Sequence, residues 1–68
     1  MTTSLMPLYS IEVGDILYIR DDIYTVVNAD YAEDGDDLVL TLVDDEGNRK
    51  RLTGPGNKEV RIVVAEYV

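Results

Sequence analysis

Apolar residues recur along this chain in short alternating runs, and that period sets the fold class. Leu38, Leu40 and Leu42 stand two apart, as do Val60, Ile62 and Val64, and Tyr24 with Val26. In extended backbone such residues share one face. Clusters of Gly, Asp, Asn and Pro separate the runs, and nowhere do apolar positions repeat at helical spacing over three turns. The pattern predicts an all-β domain. Five strands follow from it: Ile16–Arg20, Ile23 to about Ala32, Asp37–Asp44, Arg49–Thr53 and Glu59 to about Glu66. Asp21-Asp22 is expected to turn the first hairpin and Glu33–Asp36 the second. Residues 45–48 turn the third, where Gly47 takes a positive φ at no steric cost. Gly54-Pro55-Gly56-Asn57 breaks the chain before the last strand, because Pro55 has no amide to donate. On the first strand Leu17 and Ile19 alternate with Ile16 and Tyr18, and the pattern leaves open which pair faces inward.

A chain of 68 residues is one small domain, and it removes only about 60% of its unfolded surface from water. It has no cysteine, so neither disulfides nor thiolate metal sites staple it. Aliphatic side chains must carry the core, and an apolar content of 46% suffices for a globular fold. Five short antiparallel strands are too few for a broad sandwich. The expected architecture is a single small five-stranded antiparallel barrel over residues 11–68, which hides most strand edges, preceded by an apolar N-terminal arm, residues 1–10.

Val13-Gly14-Asp15, then a strand, a tight polar turn and a second strand ending Tyr24-Thr25-Val26-Val27, resembles the entry to SH3-like barrels. KOW-type domains and the first domain of elongation factor P belong to that group. Leu42-Val43-Asp44-Asp45-Glu46-Gly47 is similar to their long central hairpin, and the resemblance spans roughly residues 11–64. It implies a barrel in which one turn of tight helix separates the last two strands, here within residues 53–58. It also implies a translation-associated, RNA-contacting module, although the loops that are basic in such factors carry Asp21, Asp22 and Asp34–Asp37 in this chain. The Asp- and Val-rich, Lys-poor composition further resembles small open reading frames of phages of high-GC bacteria.

The formal charge of −8 disfavours nucleic acid and anionic lipid as partners and favours a protein with a basic surface. No stretch approaches the roughly 18–20 apolar residues of a membrane helix. The start, MTTSLMPLYS, lacks the basic and apolar regions of a signal peptide, so a cytoplasmic setting is expected. Asp30, Glu33, Asp34, Asp36 and Asp37 do not match the calcium-loop pattern, since a loop begun at Asp30 places Ala32 at a ligand position. They are expected, with Asp21 and Asp22, to form a solvated or partner-facing acidic surface, and no metal or other cofactor is expected.

Asp44-Asp45-Glu46 precedes Arg49-Lys50-Arg51, and a hairpin between them is expected to set opposite charges face to face. Thr53–Lys58 lacks the spacing and the following helix of a phosphate-binding loop. Five tyrosines offer rings but no positive groove in which bases would stack.

The apolar ends, Leu5, Met6, Leu8 and Tyr9 together with Val63, Ala65 and Tyr67, exceed what a one-sided strand requires. They are expected either to close the barrel or to meet another protein chain, a second copy or a host protein. With no histidine or cysteine, and Ser4 and Ser10 as the only serines, there is no nucleophile–base pair and no catalytic residue to name. The expected function is a non-catalytic protein-interaction or assembly module. The alternatives are an acidic mimic of nucleic acid that blocks a host DNA-binding protein, and a KOW-like RNA module using Arg49, Lys50 and Arg51.

Overall fold

The computed structural model describes residues 2–33 and 35–64. The chain forms strands β1 (Thr2–Pro7), β2 (Ile16–Ile19), β3 (Asp22–Tyr31), β4 (Asp37–Val43), β5 (Arg49–Pro55) and β6 (Glu59–Val64), with a single 3-10 turn at Leu8–Ser10. All lie in one antiparallel sheet of order β1-β6-β2-β3-β4-β5.

The sheet has six strands rather than the expected five, and it is open. The added strand is the segment expected as an arm: Thr2 pairs Val64, Ser4 pairs Ile62 and Met6 pairs Val60. This pairing also explains why no barrel closes. A strand has two edges, and those of β6 are taken by β1 and β2, so β5 has none left to join. Closure is replaced by a plug. Leu8, in the 3-10 turn, is 1% exposed and sits in the core, while its amide donates to the Lys58 carbonyl (2.9 Å). The Tyr9 amide donates to the Gly56 carbonyl (3.1 Å), tying the turn to the β5–β6 connection.

The core holds Leu8, Ile11, Leu17, Tyr24, Val26, Leu38, Leu40 and Leu42, with Met6, Ile19, Leu52, Val60 and Ile62 packed around it. Leu17 and Ile19 are therefore the inward pair of β2, and Ile16 looks outward. A bulge between Val26 and Asn28 bends β3, so that a strand ten residues long wraps the core.

The hairpin turns differ in detail from expectation. Ile19 pairs Asp22, so the first turn is Arg20-Asp21 rather than Asp21-Asp22. Both residues have positive φ (50° and 68°), the backbone that matches a two-residue loop to the twist of its strands. Gly47 has a φ of 87°, as its loop requires. Within 53–58 the expected helical turn is a β-turn closed by the Lys58 amide on the Pro55 carbonyl (3.0 Å), and β5 continues to Pro55.

Leu40 and Leu8, each 1% exposed, should each cost about 2–5 kcal/mol when cut to Ala. Urea unfolding measures this. A Leu8→Ala midpoint equal to that of the native chain would show that the plug bears no load.

Candidate functional site

The hairpin turns gather the acidic residues at two separate ends of the sheet. Asp21 and Asp22 open β3, and Asp44, Asp45 and Glu46 follow β4, whose Val43 lies opposite Thr25. These five acids line a groove of about 490 Å³ together with Ile23, Tyr24 and Lys50. Asp30, Glu33, Asp36 and Asp37 are exposed at the far end of β3, about 30 Å along the bent strand. Asp34 lies outside the described residues. The six described acids of the seven singled out in the sequence thus form two groups. Among the described residues no three ligating side chains converge as a metal ion requires.

Several of these carboxylates have structural work. Asp44 Oδ1 accepts from the amides of Glu46 and Asn48 (2.9 Å each), and Oδ2 from Asn48 Nδ2 (3.3 Å). The Asn48 amide, more than any other cause, holds this carboxyl below its ordinary value. Asp21 accepts the Tyr18 hydroxyl (2.8 Å), and that bond to a carboxylate raises the phenol's pKa. Asp15 Oδ2 accepts the Glu12 amide (2.8 Å), fixing the turn around Gly14.

The basic run is not set against the acids. Arg49 pairs Val43, Lys50 pairs Leu42 and Arg51 pairs Thr41, which leaves Asp44, Asp45 and Glu46 in the loop. Alternation sends Lys50 to the core side with Leu52, and Arg49 and Arg51 to the other. Lys50 Nζ lies 5.5 Å from the Tyr24 ring centroid and 3.2 Å from its hydroxyl oxygen. This hydrogen bond, then the charge interaction with Tyr24 and those with Asp22 and Asp44, raises the lysine's pKa and keeps it a cation.

A second cleft, of about 620 Å³, opens where β5 and β6 diverge. Ile19, Leu42, Leu52 and Val60 form its floor, and Arg20, Lys50, Arg51 and Lys58 stand around it with Asp22. Sequence spacing hid this grouping, because Arg20 and Lys58 are remote from the basic run.

The apolar candidates also separate. Leu5 and Tyr9 are 53% and 69% exposed, Met6 and Val63 are half-buried, and Leu8 is a core residue with no surface to offer a partner. Ala65 and Tyr67 lie outside the described residues. The alternation that buries Leu17 and Tyr24 leaves Ile16 and Ile23 on the outer face, exposed along with Val27. Among the described residues no helix is long and apolar enough to cross a membrane.

The fold is shared with known structures. A translation initiation factor eIF-5A family protein from Naegleria fowleri superposes with a TM-score of 0.74 at 15% identity, over 88% of this chain and 46% of its own. The eukaryotic translation initiation factor 5A from Methanococcus jannaschii gives 0.73 at 17% identity, over 88% and 49%. The chain therefore spans about half the length of each, and the likeness is one of fold. No protein-family model and no curated protein matches the chain.

The Asp44 cap has a pH signature. A carboxyl whose folded pKa lies below its unfolded value stabilises the fold fully above the unfolded value. That contribution fades as the pH falls from there through the lowered folded value. In a carboxyl NMR titration Asp44 should titrate below the ordinary aspartate value of 3.8. Asp44→Ala should remove this part of the acid sensitivity, and a titration at or above 3.8 would contradict the cap.

Proposed function

We propose that this chain is a non-catalytic interaction module that meets another protein through β1 and the neighbouring outer face. One observation supports the reading above all: β1 is an edge strand of six residues that carries exposed Leu5 beside half-buried Val63. An edge offers a row of backbone donors and acceptors to an incoming strand, and neighbouring apolar side chains add contact area. β1 itself has no charged side chain to deter pairing. Two copies pairing β1 to β1 about a two-fold axis would extend the sheet with the same patch on both sides.

Light scattering behind a sizing column tests this at low and high micromolar loading. The mass should rise above the 7.6 kDa of one chain, and Leu5→Lys with Val63→Lys should return it to that value. A monomer at every loading would exclude self-association.

The fold likeness to the 5A factors favours a second reading, a translation-associated module that touches RNA through Arg49, Lys50 and Arg51. Arg49 and Arg51 share the outer side of β5, and Lys50 stands on the inner side. This reading requires RNA to be retarded at about 50 mM salt, where screening is weak, and the retardation to vanish when all three become Ser. Free RNA under those conditions would dispose of it.

A further inference from the structure

The cleft between β5 and β6 joins three features that no other surface of the described residues combines. The first is a backbone edge: β5 is the outermost strand, paired to β4 along all seven residues, and no strand of the described residues lies on its other side. The second is an apolar floor, on which Leu52 and Val60 remain only half-buried. The third is charge. Four of the chain's six Lys and Arg residues line this cleft against a single acid, in a chain of net charge −8. Lys50 is anchored there by Tyr24, so its ordering does not wait for a ligand.

We propose that this cleft receives an extended acidic peptide segment of another protein, added as a strand along β5. Its apolar side chains would rest on Leu52 and Val60, and its carboxylates would meet Arg20, Arg51 and Lys58. Each feature selects part of that ligand. The edge selects extended backbone, the alternation of a strand presents one apolar face to the floor, and the cations select carboxylates. Nucleic acid fits less well. The floor is aliphatic, and the one ring in the cleft, Tyr24, is 5% exposed with Lys50 across its face, so no platform for a base is open. A long polyanion would also meet the repulsion of both acidic ends, which a short segment avoids. The site is independent of β1, which lies at the opposite edge of the sheet.

Fluorescence anisotropy with a labelled, blocked peptide of alternating Glu and Val, about eight residues long to match β5, provides the test. The intact chain should bind it with a dissociation constant below about 1 mM at low salt, and the Lys–Val counterpart should not bind. Amide NMR shifts should concentrate on residues 49–54 and Val60. Arg51→Glu with Lys58→Glu should weaken binding by about tenfold or more, while Arg61→Glu, on β6 opposite Leu5 of β1 and outside the cleft, should leave it within about twofold. Amide dispersion of each variant confirms its fold. The proposal falls if the acidic peptide fails to bind, if its shifts map to β1, if Arg61→Glu weakens binding as much as the cleft pair, or if an oligouridylate binds the cleft in its place.

Discussion

The leucines of β4 hold the molecule together. Leu38, Leu40 and Leu42 are all buried, and each lies between residues of β3 and β5 at a fixed register: Tyr31 and Gly54, Ala29 and Leu52, Val26 and Lys50. Side chains alternate with a period of two, so a slip of one residue would turn the whole row into water. With no disulfide to fix the strands, that penalty is what sets their order of pairing. It also explains Gly54. A Cβ there would come within 2.9 Å of Lys58 Cδ, so the missing side chain leaves room for the lysine stem, while Leu8 Cδ1 at 3.5 Å would be in ordinary contact.

An open sheet has two edges, and in this chain they differ in chemistry. β1 reads Thr-Thr-Ser-Leu-Met-Pro and is uncharged, while β5 begins Arg-Lys-Arg. Charged residues on an edge deter indiscriminate strand pairing, because a neutral or basic strand approaching them must desolvate or repel them. The two edges therefore present different chemistry to a neighbouring strand. This asymmetry follows from β1 taking the free side of β6, since a closed barrel would have consumed the β5 edge.

Over the described residues the strands from Ile16 onward were legible to within a residue or two, because each carries the period-two pattern of a half-buried sheet; the expected end of the last strand near Glu66 lies outside them. β1 was not legible as a strand. Thr-Thr-Ser-Leu-Met-Pro has no apolar alternation, and its pairing with β6 joins opposite ends of the chain. The first turn was misplaced by one residue because Arg20 adopts a positive φ, a conformation its side chain gives no reason to expect. The inward face of β2 was undecidable locally, since both pairs are apolar, and it is fixed only by Leu17 meeting Tyr24 and Ile62. Site residues were legible by type but not by grouping. Leu8 had the composition of a contact residue and became core, and the acids chosen as one surface stand at two ends of β3.

Charge follows the same topology. The turns at 20–21 and 44–48 fall at one end of the sheet, and the 33–36 turn falls at the other, so the anions collect at both ends. The side of the sheet where β5 parts from β6 receives Lys58 from the β5–β6 connection, Arg20 from the first turn, and Lys50 and Arg51 from β5 itself. A net negative molecule thus carries a local inversion of its own field beside an unoccupied backbone edge. Such a field would draw basic surfaces to the ends and, on the proposal above, acidic segments to the seam. Added salt weakens both attractions together, within a Debye length of about 10 Å at 0.1 M. Salt dependence therefore does not distinguish the two surfaces. Charge reversal confined to Arg51 and Lys58 does, because it touches the seam and leaves both acidic ends as they are.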